Sequence, residues 1–216
     1  MKILNGPEID ILTPISRNGE AELRLIEKAA RVCYKSEERI TNGSAERLIK
    51  NLILRGHTAP LEHSTLTVKF ICDRGVANEL VRHRLASYCQ ESTRYCNYSK
   101  DQFDSEITVI KPILIEPGST SYNVWKMSCE TAENAYFSLL DIGETPQNAR
   151  SVLPLSLKTE IVVTANYREW MHILNLRTSE AAHPDIRFMM HKLLIELRKD
   201  IPVIFDDVGK ETFGVA

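Results

Sequence analysis

The sequence predicts an α+β fold, and three observations predict it. Stretches with a period of two and stretches with a helical period are interspersed along the chain, without the regular strand–helix alternation of a doubly wound parallel sheet. The length of 216 residues fits one domain with a real buried core. Hydrophobic content of 43% and charged content of 26% belong to a globular chain.

Taken in order, residues 19–35 place Ile26, Ala29, Ala30 and Cys33 at helical spacing. Residues 44–55 run from Ser44, a candidate cap, to Gly56, with Leu48, Ile49, Leu52 and Ile53 on one face. Residues 56–63 carry Gly, Pro and polar groups and read as a loop. Residues 64–72 alternate Leu66, Val68, Phe70 and Cys72 against Thr65, Thr67 and Lys69, the pattern of a half-buried strand. A helix is predicted over Val76 to His83, a second strand over residues 107–115, and a long helix over 121–142 with Trp125, Cys129, Ala132, Tyr136 and Leu140 as its stripe. Thr145-Pro146 opens a short helix that Pro154 closes. Residues 157–165 form a β-branched strand, and Asn166 caps a helix through Arg177. The last helix begins near Pro184, with Ile186, Met189, Met190, Leu193, Leu194 and Leu197 at clean helical spacing.

Bulk properties exclude several function classes. A formal charge of −2 argues against broad, non-specific nucleic-acid binding, which needs a wide basic face. No run approaches the eighteen or so apolar residues of a membrane span. Met1 to Pro7 breaks after two apolar residues, unlike a secretory signal. Five cysteines (33, 72, 89, 96 and 129) form no CxxC, and an odd count without a signal reads as reduced thiols in a cytoplasmic protein. His57 and His63 lie six apart around a proline, not at helical metal-pair spacing, so no metal is expected.

Against this background, Arg82 to Tyr95 stands out. Three arginines, one histidine and a run of uncharged hydrogen-bonding groups fall within fourteen residues. Guanidinium groups grip phosphate oxygens in fork geometry, and Ser, Thr, Gln and Tyr can read the rest of a ligand. The plainer alternative is a solvated helix end, where cations favour the last carbonyls.

Arg82-His83-Arg84, seven residues and then Ser92 resemble the defining motif of the flavin-dependent thymidylate synthases. Other blocks fit the same family in order: Gly56-His57 through Glu62-His63, Arg150 to Pro154, Asn166-Tyr167-Arg168, and Leu174-Asn175-Leu176-Arg177. The resemblance covers residues from about 20 to 180. It implies a single domain over 1–216 with a central, mostly antiparallel sheet flanked by helices. It further implies methylation of dUMP to dTMP, with methylenetetrahydrofolate as carbon donor, FAD as hydride carrier and NADPH as reductant, in a homotetramer that shares its sites.

By the same resemblance, FAD is met by His57, Ala59, Arg82, His83, Arg84, Gln90, Asn166, Tyr167, Arg168 and His172. The nucleotide is met by Glu79, Arg82, Gln90, Glu91, Ser92, Thr93, Arg94, Arg150 and Arg177. Arg177 is the catalytic residue, lying against the uracil and favouring its N3-deprotonated ring. Too basic to accept a proton, it stabilises developing negative charge through fixed donors. Ser92 is expected to be a hydrogen-bonding ligand, with no GxSxG elbow around it. None of the cysteines follows a proline, as the uracil-attacking thiol of the classical thymidylate synthases does.

Two departures from the family pattern bear on the site. Glu79 stands where some members carry Gln, and Cys89-Gln90 stands where many carry Asn-Glu. A carboxylate role at 90 then has Glu91 as its candidate substitute. There is no GxGxxG fingerprint, so a Rossmann mode of FAD binding is excluded. A rival of another class is a nucleotide- or RNA-binding module that grips phosphates with Arg82, Arg84 and Arg94 and stacks bases on Tyr88 and Tyr95. A third reading is a flavoprotein of this fold whose synthase activity is lost.

Overall fold

In the computed structural model, which describes residues 1–96, 98–99 and 105–210, the chain opens on two short strands, β1 (Lys2–Leu4) and β2 (Glu8–Ile11). Two helices follow, α1 (Glu20–Val32) and α2 (Ser44–Leu54), and then the long strand β3 (Thr65–Asp73). Next come α3 (Arg74–Leu80), β4 (Ala86–Gln90), β5 (Thr108–Ile110), α4 (Thr120–Asp141) and the short α5 (Pro146–Ala149). The chain continues with β6 (Lys158–Asn166), α6 (Tyr167–Arg177), α7 (Pro184–Asp200) and α8 (Pro202–Phe205).

The architecture is α+β, with an antiparallel sheet flanked by helices. Four strands form one sheet in the order β2-β3-β6-β4. The Tyr167 N–H donates to the Ser64 carbonyl at 3.0 Å, and the Thr67 and Thr164 hydroxyls meet at 2.9 Å. Numbers fall on one strand as they rise on the other, so β3 and β6 run antiparallel. β1 and β5 make a separate parallel pair, with Ile3 opposite Val109.

Packing resolves into two units. The first comprises Met1–Glu8, Lys69–Arg82 and Tyr88–Val162. Its core gathers Ile107, Val109, Cys129, Tyr136, Ala149 and Leu157, with the Tyr98 and Tyr136 rings edge to face at 5.8 Å. The second comprises Ile9–Val68, His83–Ser87 and Val163–Ala216. Here α1, α2, α6, α7 and α8 bury Ile26, Ile49, Trp170, Leu174, Leu193 and Phe205 completely. The Trp170 indole N–H donates to the Leu66 carbonyl at 3.0 Å, tying α6 to β3. Deleting any of these large side chains costs about 2–5 kcal/mol. Gly209, at φ 76°, donates its N–H to Asn175 at 2.7 Å; a Cβ there would stand 2.9 Å from the Thr178 hydroxyl.

Several elements differ from expectation. The helix expected over Val76 to His83 is Arg74–Leu80. It starts early because the Asp73 carboxylate accepts from the Val76 N–H at 2.8 Å, and at its end the Tyr88 hydroxyl donates to the Leu80 carbonyl at 2.9 Å. Arg82 and His83 therefore lie in the turn that leads to β4. Ser44 is the first helical residue of α2, and the cap position is Gly43 in the left-handed region. The strand expected over 107–115 shortens to Thr108–Ile110, just ahead of Pro112, which cannot donate to a ladder. The loop at 56–63 contains a tight helical turn over Ala59–His63 that buries Leu61.

Candidate active site

The first unit holds most of the nucleotide-assigned residues around one tight turn. β4 ends at Gln90, whose amide donates to the Thr159 hydroxyl at 3.3 Å. The Ser92 carbonyl then accepts from the N–H groups of Tyr95 at 3.1 Å and Cys96 at 2.9 Å, closing the turn. Thr93 is buried, and its hydroxyl accepts from Arg150 Nη1 at 3.2 Å across 57 residues of sequence. Arg94 is exposed, its guanidinium 5.3 Å from the Tyr95 ring centroid and its Nη2 3.0 Å from the Tyr95 hydroxyl. Arg82 and Arg150 are exposed, and Glu79 on α3 is half-buried.

Glu91 behaves differently from its neighbours. Its backbone N–H donates to the Glu160 carbonyl at 2.9 Å. One carboxylate oxygen lies 3.2 Å from Lys158 Nζ and 3.2 Å from the Glu160 N–H, and the other accepts from the Tyr98 hydroxyl at 3.4 Å. The carboxylate expected to replace the one missing at position 90 is thus already engaged. Burial pulls the Lys158 ammonium down, yet hydrogen bonds to Glu160 and Glu91 outweigh it and hold the group above its usual range. The hydrogen bond from Lys158 also holds the Glu160 carboxyl below its ordinary value. A pocket of about 460 Å³ opens here, lined by Gln90, Glu91, Lys158 and Glu160 together with Cys89 and Cys96. Burial raises the Cys96 thiol, which keeps it protonated and unreactive.

The second unit holds most of the flavin-assigned residues, and there α6 does the placing. Asn166 caps the helix, its side chain accepting from the Glu169 N–H at 2.9 Å. Tyr167 is fully buried, its ring edge to face with Phe205 at 5.9 Å, so its side chain packs into the core. Arg168 points outward and pairs with Glu62 on the 59–63 turn at 2.5 Å. His172 is exposed one turn further on, and its ring lies 6.1 Å from that of His83. His57, Ala59 and Arg84 are exposed.

At the end of α6, Arg177 Nε donates to His83 Nε2 at 3.0 Å, joining residues 94 apart in sequence. The histidine is buried at 7% exposure. Burial first, then the Arg177 charge and His172, lower its pKa to about 4. His83 is therefore a neutral acceptor at physiological pH, and it fixes the plane of the Arg177 guanidinium. Among the described residues, His83, Glu169 and His172 bring ligand-type atoms within 4.8 Å of one another. The Arg177 N–H occupies the Nε2 lone pair of His83, however, and its charge opposes a cation there.

The sequence reading did not pick out Lys158, Tyr98 or Glu169. Lys158 and Glu160, two apart on a strand, share one face, and that was the available signal. Tyr98 carried none, because its contact with Glu91 arises only when the turn closes.

The sequence model of the family described as thymidylate synthase complementing protein matches residues 16–203. The flavin-dependent thymidylate synthase of Geobacter sulfurreducens is 33% identical over 193 residues, covering 84% of this chain and 79% of that one. The enzyme of the same name from Pyrococcus furiosus is 35% identical over 184 residues, covering 82% and 75%. Among solved structures, the UMP/dUMP methylase PolB from Streptomyces cacaoi, bound with 5-Br dUMP, superposes with a TM-score of 0.77 at 25% identity, over 95% of this chain and 96% of that one.

Proposed function

Because the chain belongs to the family of flavin-dependent thymidylate synthases, we propose that it methylates C5 of dUMP to give dTMP, with methylenetetrahydrofolate as carbon donor and NADPH as reductant. The observation that carries this reading is the hydrogen bond between Arg177 and His83, which unites the two most distinctive sequence blocks in one constellation.

FAD, when bound, supplies the hydride that completes the methyl group, chemistry that no side chain provides. The donor set of the second unit fits such a group: the exposed guanidinium of Arg84 matches its phosphates, Arg168 adds a second on exchanging Glu62 for phosphate, and Asn166, His57 and His172 offer polar contacts to a ring system. In the first unit, Arg82, which the resemblance assigns to both ligands, offers an exposed cation, and Gln90 an amide. For the nucleotide, Arg94 and Arg150 take the phosphate, Ser92 and Thr93 add hydroxyl contacts, and Glu79 lies nearby on α3.

Arg177 is the catalytic residue of this reading. With Nε committed to a neutral His83, the guanidinium presents its fork to the pyrimidine in a fixed plane. Charge developing on the uracil as C5 attacks the one-carbon unit is then met by donors already in position. No thiol is required: Cys72 and Cys129 are buried, and burial pushes the Cys72 thiol up to about 12.

The reading extends to one functional domain over 1–216, acting in the cytoplasm as a homotetramer whose copies share sites, with no metal and no nucleic-acid partner. Exposed apolar side chains at Val124 and Met127 on α4 and at Phe188 and Ile195 on α7 support an assembly. None of the described helices is long and apolar enough to cross a membrane.

The test is tritium release from 5-tritiated dUMP in the presence of FAD, NADPH and methylenetetrahydrofolate. Release that depends on all three is expected. A protein that binds FAD and dUMP yet releases no tritium is a flavoprotein without synthase activity. A colourless protein with steeply salt-dependent RNA binding would support the rival binding module.

A further inference from the structure

We infer that Glu91 is a positioning residue, holding the 92–96 turn in the shape that presents Ser92, Thr93 and Arg94 to the nucleotide phosphate. This rests on the proposed reading of those three residues as dUMP contacts. The carboxylate is only 12% exposed, and its two oxygens receive three donors, from Lys158, the Glu160 backbone and Tyr98. An ionised carboxylate has roughly four acceptor sites. Three are occupied within the fold, which leaves little for a ligand.

The donors are placed so that they fix the turn. Lys158 and Glu160 sit on β6, the sheet neighbour of the strand that leads into the turn, and Tyr98 follows the turn in sequence, with its ring buried against Tyr136. Glu91 thus joins the incoming strand, the neighbouring strand and the outgoing chain through one side chain. The Thr93–Arg150 hydrogen bond holds the middle of the same turn. Lys158 itself is held by two carboxylates, at 3.2 Å from Glu91 and 2.7 Å from Glu160, so its ammonium is not available as a phosphate ligand.

The experiment compares wild type with Glu91→Gln, Lys158→Met and Tyr98→Phe, each as the FAD-loaded protein. Affinities for dUMP and for deoxyuridine, which lacks the phosphate, are measured by calorimetry beside kcat, KM and the thermal midpoint. Glu91→Gln is expected to weaken dUMP about tenfold and deoxyuridine less than about twofold, the loss appearing in KM, with flavin absorbance retained. Lys158→Met should do the same, the Glu91→Gln/Lys158→Met pair should be no worse than the poorer single variant, and Tyr98→Phe should weaken dUMP about threefold. Equal losses for dUMP and deoxyuridine would make Glu91 a ligand of the base and overturn the proposal. So would unchanged dUMP affinity in all three folded variants, whatever happens to their thermal midpoints. Failure of the wild type itself to bind dUMP would remove the proposed function, and this inference with it.

Discussion

The two units of the chain hold their functional side chains by opposite means. In the first, a turn between strand and loop is fixed by charge: Lys158, Glu91 and Glu160 form a half-buried network, and Arg150 reaches Thr93. In the second, placement comes from a helix. Asn166 starts α6, Arg177 ends it, and a buried neutral histidine receives the arginine. The proposed roles differ in the same way. A phosphate is gripped by several donors set on a fixed turn, whereas a flat ring under electronic polarisation needs one guanidinium in a fixed plane.

The sharpest way to break this comparison is at Arg177. Arg177→Ala should lower tritium release by about 10²–10³-fold, the usual cost of one transition-state donor, while flavin absorbance is retained. Unchanged turnover would remove Arg177 from the chemistry. Arg150→Met addresses the other unit and should raise KM for dUMP about tenfold, since a hydrogen bond to a charged group is worth about 1.5–3 kcal/mol. An equal loss of kcat would show that the two units do not divide the work as described.

The buried histidine gives a pH signature on the neutral side of the one expected from the lowered Glu160 carboxyl. With a folded-state pKa of about 4 against an ordinary value of 6.5, His83 binds fewer protons folded than unfolded between those limits. Its contribution to stability is therefore fully present above about pH 6.5 and is lost as pH falls toward 4. Urea unfolding at pH 8, 6 and 5 should show this decline, and His83→Asn should flatten it. The smallest effects on activity belong to the thiols. Replacing each cysteine singly should leave turnover measurable, and at buried Cys72 a serine should cost only stability, about 1–3 kcal/mol. One essential thiol would refute a mechanism without a cysteine nucleophile.

Elements with long, regular patterns were legible in the sequence. β3 and β6 each alternate buried and half-exposed residues over nine positions, and α7 buries the whole Ile186 to Leu197 stripe. β1, β2 and β4 were not, because three to five residues carry too little periodicity to separate a strand from a loop. The end of α3 was missed because its stop is the hydroxyl of Tyr88, on the following strand. The resemblance supplied the candidate site residues but not their pairings: no local pattern announces a bond between His83 and Arg177, or between Glu91 and Lys158.

Gly209 gives the second unit a remote control. Any side chain at this position must assume a backbone shape that L-residues resist and must crowd Thr178, the immediate successor of Arg177. A substitution here would therefore press on the end of α6 and so reach the proposed catalytic guanidinium, with every assigned site residue left unchanged.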